Sequence, residues 1–250
     1  MHVKLSAVII CFNEEKNIER CVRSVRGIVD EVLVLDSFSQ DTTPNICRRL
    51  GVRFEQHAFD GHIQQKNRAM QMATYDHVLS LDADEALDET LKQQVINAKN
   101  SWTGEGYKFN RVTSYCGKWI KHCGWYPDTK IRLWDRRQGS WGGENPHDKV
   151  IMKPGTKVTK LRGDILHYSF YSVQQHLDTI EKFSSIKAQN KINKGRTSSL
   201  LQLYLHPVAK FLKMYVFRLG FLDGKMGWYV CWNSGYSAYL KHLKVRNALK

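Results

Sequence analysis

The sequence predicts an α/β fold in which a mostly parallel sheet has helices on both faces, followed by a basic helical C-terminal region. Short apolar runs alternate with segments of helical periodicity over the first hundred residues. The length of 250 residues is enough for one large α/β domain with an appendage. Residues 1–150 contain 21 Lys or Arg and 20 Asp or Glu, whereas residues 151–250 contain 17 and 4, which separates a neutral front from a basic rear.

The elements of the front half follow from hydrophobic patterns. Leu5–Cys11 and Glu31–Asp36 are near-continuous apolar runs, as in strands buried on both faces. Asn13 is the predicted N-cap of a helix that extends to Val25. The other predicted elements are a helix from about Pro44 to Leu50, a strand Val52–Glu55, a helix Ile63–Ala73 and a strand Val78–Leu81.

The pattern changes after Asn100. Strands are predicted at Tyr107–Val112, Lys130–Trp134 and Lys149–Met152, without long helices between them, in a stretch rich in aromatic residues and glycine. Such a region could form a platform for a sugar or an acceptor, and filling of the core explains any single ring equally well. From Ser172 onward the chain is predicted to be mainly helical, with Pro207 in the first turn of a helix over 207–222.

Bulk features limit the cellular context. The six cysteines are scattered without a C-x-x-C pair, which argues against a structural zinc site and fits reduced cytosolic thiols. Met1–Lys4 leads directly into the first strand, so no secretory signal is expected. The basic rear indicates an anionic partner, either nucleic acid or a membrane surface.

Two carboxylates at the end of a strand are the most informative feature. Asp82 and Asp84 follow the apolar run Val78–Leu81. In an open α/β sheet, ligands bind beyond the carboxyl ends of the strands. Hard oxygen ligands in that crevice suit Mg²⁺ or Mn²⁺, which leave coordination positions for substrate phosphates.

At this point the sequence resembles the family 2 glycosyltransferases with the GT-A fold, over residues 1 to about 170. The resemblance rests on the loops Cys11–Glu15, Asp36–Asp41 and Asp82–Glu85 and on a helix carrying Lys66-Asn67-Arg68. The run from Lys66 to Ala69 and the later VLSLDADE look like a narrower branch, the bacterial lipopolysaccharide-core and related surface-glycan transferases. Asp36-Ser37 departs from the Asp-Asp pair of the wider family.

The resemblance implies a nucleotide-sugar donor, expected to be UDP-linked, and a divalent ion. Asp84 is then the first choice for direct metal contact, Asp82 binds ribose or the metal through water, and His167 is a candidate third ligand. Lys66 or Arg68 could offset phosphate charge. The remaining donor-binding candidates lie in the first two loops: Phe12, Asn13, Glu15 and Asp36.

An inverting displacement also needs a base for the acceptor hydroxyl. In the resembling branch a His-Glu pair follows a Gly-rich turn, and here that pair reads His147-Asp148. Asp148 is the best match to the base, Glu144 is the rival, and His147 could orient either carboxylate.

The basic rear is predicted to lie on an anionic membrane. Over 207–222, Lys210, Lys213 and Arg218 share one helical side, and an apolar stripe that could instead pack on the catalytic domain occupies the other. The predicted domains are a catalytic domain over 1–170, with a nucleotide-sugar half (1–100) and an acceptor half (101–170), and a helical extension over 171–250.

The sequence therefore predicts an inverting, metal-dependent transferase, peripheral on the inner face of the cell membrane. Its expected acceptor is lipid-linked or a lipopolysaccharide core. The alternatives are a sugar nucleotidyltransferase, although no Gly-rich loop follows the first strand, or an inactive membrane-surface protein. Nucleic-acid binding would leave the turn at Asp82 and Asp84 unexplained.

Overall fold

The computed structural model describes residues 1–144 and 147–248. They form two compact units: residues 1–111 with 128–167, and residues 112–127 with 168–250. The segment 112–127 therefore belongs with the C-terminal helices, whereas the sequence placed it in the acceptor half of the catalytic domain. The reason is packing, because Tyr115, Ile120 and Cys123 share a buried cluster with Val230 and Cys231.

The first unit alternates strands and helices. Its elements, in chain order, are β1 (Leu5–Cys11), α1 (Ile18–Val25), β2 (Glu31–Asp36), α2 (Thr43–Arg49), β3 (Arg53–Gln56), α3 (His62–Met72), β4 (His77–Asp82), β5 (Glu85–Leu87), α4 (Glu89–Asn100) and β6 (Gly106–Tyr115). Further along come β7 (Lys118–Ile120), β8 (Asp128–Asp135), β9 (Gly139–Glu144), β10 (His147–Met152) and β11 (Val158–Phe170). β7 and the ends of β6 and β11 belong to the second unit.

The sheet has a parallel and an antiparallel part. Its order is β3-β2-β1-β4-β8-β6-β11-β5, and β3, β2, β1 and β4 are parallel neighbours. β8 joins β4 antiparallel, and β6 joins β8 antiparallel. β9 and β10 form a separate antiparallel pair. The parallel strands are thus the ones predicted over the first hundred residues, whereas β8 and β6, which follow Asn100, extend the sheet by antiparallel pairing.

Both faces of the sheet are covered, as predicted. Successive side chains of a strand point to opposite faces. On one side of β1, Leu5, Ala7 and Ile9 pack with residues of α1, α2 and α4. On the other side, Val8 packs with Ala69 of α3 and with aromatic residues of β8 and β9. The predicted α/β fold class is confirmed, with a mixed sheet in which only the pairs among β3, β2, β1 and β4 are described as parallel.

Two predicted details of the first unit are corrected. α1 begins at Ile18, not after Asn13, because Asn13 has a left-handed φ of 53° and uses its backbone and side chain to bind the second loop. His167 lies opposite Glu85 of β5 in β11, a strand that was not among those predicted after Asn100. β11 was missed because charged residues interrupt its alternation of apolar and polar positions.

The second unit is mainly helical, as predicted, with α5 (Val173–Asn193), α6 (Leu200–Leu212) and α7 (Gly224–Ala248). The prediction that Pro207 starts a helix is wrong, since Ser199 caps α6 by accepting a hydrogen bond from the backbone N–H of Gln202 and Pro207 lies inside the helix. A π-helical turn (Lys213–Phe217) and a 3₁₀ turn (Gly220–Asp223) follow, so no single helix spans 207–222. Over the described ranges, no helix combines the length and apolarity needed to cross a bilayer.

Candidate active site

The candidate site lies at the carboxyl edge of the parallel strands. In the register of the sheet, Cys11 at the end of β1 lies opposite Asp36 of β2, and Ile10 lies opposite Asp82 of β4. The loops that follow these strands therefore start at one edge. A cleft of about 590 Å³ opens beside β4, and its lining includes Lys66, Asp82 and Asp148.

A chain of alternating charges runs along this cleft. Lys66 Nζ donates hydrogen bonds to Asp148 Oδ2 at 2.7 Å and to Asp82 Oδ2 at 3.2 Å, and it also lies 2.9 Å from Asp82 Oδ1. Arg132 Nη2 donates to Asp82 Oδ2 at 3.0 Å and to Glu85 Oε1 at 2.9 Å. The order of the chain is Asp148, Lys66, Asp82, Arg132, Glu85, Arg111 and Asp128. Two predicted residues, Asp82 and Asp148, are thus connected through one predicted cation.

The two central cations are buried against an aromatic ring. The side chains of Lys66 and Arg132 are each only 4% exposed. Lys66 Nζ lies 4.4 Å and the Arg132 guanidinium carbon 5.1 Å from the centre of the Trp141 ring. Buried cations need paired carboxylates or aromatic faces to offset lost hydration. Asn67 fixes this ring, because its side chain bonds both the backbone N–H and the carbonyl of Trp141.

Asp82 forms ion pairs with both of these cations. Burial alone would raise the pKa of Asp82, but the charges of Lys66 and Arg132 outweigh burial and hold the pKa well below its usual range. A metal ion at this carboxylate would have to compete with both cations. This observation favours the predicted indirect role of Asp82 over direct metal contact.

Asp84 and His167 form the pair that best fits a metal ion. Asp84 Oδ2 lies 3.0 Å from His167 Nε2, and both side chains are partly exposed. Oxygen and imidazole ligands suit Mn²⁺, and two protein ligands suffice for an ion that also binds water and phosphate. Within residues 1–144 and 147–248, no three His, Cys, Asp or Glu side chains are grouped so as to hold a metal ion. The pair would therefore depend on other ligands to complete the coordination.

The first two loops bind each other. The backbone N–H of Asn13 donates to Ser39, the Asn13 side chain accepts from the backbone of Gln40, and Glu15 accepts from Thr42. Phe12 is exposed at the rim. Asp36 is fully buried and accepts hydrogen bonds from Ser39 and Gln56, so a ligand could reach this carboxylate only by displacing them.

Glu14 is a residue that the sequence analysis passed over. Burial raises the pKa of Glu14 to about 7. The negative charges of Asp84, Asp41 and Asp82 act in the same direction, whereas a hydrogen bond from Asn17 lowers the pKa. A carboxyl group that titrates near neutrality next to the carboxylate cluster is a candidate functional group. Its only sequence signal was its position between the predicted residues Asn13 and Glu15.

The remaining predicted residues lie farther out or outside the described residues. Arg68 forms an ion pair with Asp60 at 3.1 Å, outside the cleft. Of the two basic candidates on α3, Lys66 is therefore the one that contacts the cleft carboxylates Asp82 and Asp148. Glu144 is exposed and pairs in register with His147 across β9 and β10. The side chain of His147 and all of Asn145 and Pro146 lie outside the part of the chain that the structure describes.

Comparisons with known proteins identify the family. Residues 6–152 match the sequence model described as Glycosyl transferase family 2. The chain belongs to this family. This glycosyltransferase is 30% identical to an uncharacterized glycosyltransferase of Rickettsia typhi over 97% of its own length and 87% of that protein. It is 26% identical to the lipopolysaccharide core biosynthesis glycosyltransferase LpsC of Rhizobium meliloti, over 98% of this chain and 94% of that one.

Among solved structures, this glycosyltransferase is similar to the glucosyl-3-phosphoglycerate synthase of Mycobacterium tuberculosis in complex with Mn²⁺, UDP and glucosyl-3-phosphoglycerate. The identity is 22% and the TM-score 0.37, over 45% of this chain and 44% of that one. The likeness thus covers less than half of either chain.

Proposed function

We propose that this glycosyltransferase is inverting and metal-dependent, and that it transfers a sugar from a UDP-sugar to a lipid-linked or lipopolysaccharide-core glycan. The observation that carries the proposal is the connection of the predicted base Asp148 to Asp82 through Lys66. Asp148 of β10 follows Lys66 of α3 by 82 residues, whereas Asp82 of β4 follows Lys66 by only 16. The acceptor class is supported by the name of the LpsC relative.

In the proposed mechanism Asp148 takes the proton. The acceptor oxygen attacks the anomeric carbon, its proton passes to an Asp148 oxygen, and the bond to the leaving phosphate breaks on the opposite face. Lys66 binds Asp148 and Asp82 and so places the base over the cleft. Glu144 is the alternative base, on the strand paired with β10.

Asp84 and His167 would hold the divalent ion. A divalent ion in this position stabilises the charge that develops on the leaving nucleoside diphosphate. The two loops that contain Asn13, Glu15 and Asp36 would shape the site for the nucleotide base and ribose of the donor, with Phe12 at the exposed rim.

A nucleotide-sugar screen tests the donor and metal assignments together. UDP-sugars should raise the melting temperature of the protein only when Mn²⁺ or Mg²⁺ is present, because ligand binding stabilises the native state. Asp84→Asn should abolish this shift and the transfer activity. Asp60→Asn is the matched control, since Asp60 is exposed and pairs with Arg68. If the Asp84→Asn variant transfers sugar at the wild-type rate with saturating Mn²⁺, the assignment of Asp84 as a metal ligand is wrong.

We also propose that the chain lies on the inner face of the cell membrane as a peripheral protein. Most apolar side chains of α6 are exposed, and only Leu203 of this helix is buried. The exposed apolar residues of α6 are Leu200, Leu201, Tyr204, Leu205, Val208 and Leu212. Val208 and Leu212 belong to the apolar stripe predicted over 207–222, whose Tyr215 instead packs against the buried cluster of the second unit. The exposed apolar ridge beside basic residues supports binding to an anionic bilayer surface.

A further inference from the structure

A basic pocket lies among the helices of the second unit. It has a volume of about 700 Å³ and is lined by residues of α5, α6 and α7 and of the segment between α5 and α6. Five of its lining residues are cations: Lys187, Lys191, Lys194, Arg196 and Lys241. No carboxylate lines it, and none of the described acidic side chains forms an ion pair with these five.

The pocket has a buried polar floor. Lys191 Nζ donates to Ser198 Oγ at 2.9 Å and to Gln202 Oε1 at 3.1 Å. Ser198 Oγ lies 2.9 Å from Nδ1 of His242, whose Nε2 is 3.1 Å from His206 Nδ1. Ser198 and His242 are buried. The position of Lys191 is thus fixed by this network, unlike that of a freely moving surface lysine.

The gathered cations repel one another. Burial and the neighbouring charge of Arg196 lower the pKa of Lys191, and burial with the charges of Lys191 and Lys187 lowers the pKa of Lys241. Burial and the charges of Lys241 and Lys191 lower the pKa of His242 to about 4, so this imidazole is neutral near pH 7. A bound anion would relieve the repulsion, and a phosphate group offers several acceptor oxygens to such donors.

The pocket adjoins apolar surface on α6. Leu201 and Leu205 line it and are 68% and 56% exposed. On the other side of α6 an apolar groove of about 450 Å³ is lined by Tyr204, Val208, Trp232 and other residues. α6 thus carries an exposed apolar ridge between a basic pocket and an aromatic groove, which matches the two parts of an amphiphile.

We propose that this pocket binds the phosphate group of a phosphate-bearing lipid, whose hydrocarbon chain lies along the apolar ridge of α6. Charge complementarity selects the occupant, because five cations without a lining carboxylate suit a phosphate monoester or diphosphate better than a neutral or singly charged headgroup. The proposal deepens the proposed membrane association and adds a specific site to it, but it does not depend on the transfer reaction.

Vesicle co-sedimentation with the full chain tests the site. Vesicles containing phosphatidic acid, a monoester, are compared at equal surface charge with vesicles containing phosphatidylglycerol, a diester. The wild type should prefer phosphatidic acid. The variant Lys191→Gln/Lys241→Gln should bind phosphatidic acid about tenfold or more weakly, since each basic residue near an anionic surface contributes appreciably. Lys182→Gln/Lys225→Gln, which removes two exposed charges on α5 and α7 outside the pocket, is the control.

The outcomes separate the two proposals. Loss of the phosphatidic-acid preference in the pocket variant alone supports the site. Equal losses in both variants would overturn the site and retain membrane association through charge. Wild-type protein that stays in the supernatant with both vesicles would overturn both. If inorganic pyrophosphate alone raises the melting temperature as much as the lipid does, the occupant is a soluble anion and the lipid assignment is wrong.

Discussion

Lys66 determines the charge balance of the cleft, because it stands between Asp82 and Asp148. Lys66→Gln should lower the free energy of unfolding by about 3 kcal/mol, since breaking a buried ion pair leaves a carboxylate without its partner. Arg68→Gln, on the same helix but in a more exposed pair, should cost less than about 1 kcal/mol. Urea unfolding of both variants measures the difference. Equal costs would mean that the Lys66 contacts add nothing beyond a surface pair.

Glu14 should make stability depend on pH. Its folded pKa of about 7 lies above that of an unfolded glutamate, so its protonated form favours the folded state. Its stabilising contribution is complete below about pH 4 and lost as the pH rises through about 7. In Glu14→Gln this loss should disappear, which changes the relative stability by about 3 kcal/mol across that interval. Urea unfolding at several pH values measures it, and parallel curves for the two proteins would contradict the raised pKa.

Asp148 and Glu144 can be separated by kinetics. If Asp148 is the base, Asp148→Asn should lower kcat about 10²- to 10⁴-fold, with donor binding nearly unchanged. Glu144→Gln should have a smaller effect, since this exposed residue would not take the proton. The reverse order of effects would move the base to Glu144. A product with retained anomeric configuration would exclude the single displacement for either residue.

The sequence predicted the carboxylates of the cleft but not all of their partners. Asp82 and Asp84 follow an apolar run directly, so their position at a strand end was readable from local pattern. Arg132 and Glu85 were not singled out, because their role depends on the pairing of β8 with β4 and on burial rather than on any short motif. Likewise, the sequence could not tell whether Lys66 or Arg68 faces the cleft, because this depends on which side of α3 is turned toward the sheet.

At the scale of elements, α4 packs against β11 through Gly163. Gly163 has φ +92°, and a Cβ there would lie 2.4 Å from the backbone nitrogen of Leu91 and 2.8 Å from Asp88 Oδ1. Asp88 caps α4 and also accepts from the backbone of Asp164. This close approach fixes the strand that carries His167.

Gly163→Ala should therefore lower the free energy of unfolding by about 3 kcal/mol, because backbone strain and a clash with fixed backbone act together. Gly155→Ala is the matched control, since Gly155 also has a positive φ but open space around it. It should cost only the strain, about 1 kcal/mol. Thermal or urea unfolding measures both. Similar costs for the two variants would show that the packing of α4 on β11 yields easily.

Element boundaries were predicted less well than element types. The apolar runs of β1, β2 and β4 identified these strands, because burial on both faces leaves a continuous signal. β11 and the start of α6 were missed or misplaced, since the first is partly polar and the second depends on the cap at Ser199. Asn13 was expected to cap a helix but binds the second loop instead. Pro207 was expected to begin a helix but lies inside α6, which begins earlier.

At the scale of the whole molecule, the uneven charge was visible from composition, whereas the grouping of five cations around one pocket was not. These cations come from two helices, α5 and α7, and from the segment that follows α5, so only folding brings them together. Composition therefore predicted an anionic partner, and the exposed apolar ridge of α6 is the feature on which the proposal of a bilayer rather than nucleic acid rests.

The full chain should bind anionic vesicles with a charge-dependent and an apolar contribution. Raising salt shortens the Debye length from about 8 Å at physiological ionic strength, which screens the basic residues and leaves the ridge of α6. Binding should therefore weaken without vanishing.

Replacing Lys210, Lys213 and Arg218 with Glu should weaken vesicle binding further and leave transfer to a soluble acceptor analogue unchanged. The same charge reversal at Lys16, Lys153 and Lys160, which are exposed in the first unit, should have little effect because these residues are not part of the basic helical region proposed to bind the membrane. Co-sedimentation at low and high salt measures each contribution, and equal losses in the two triple variants would reduce the membrane interaction to net charge.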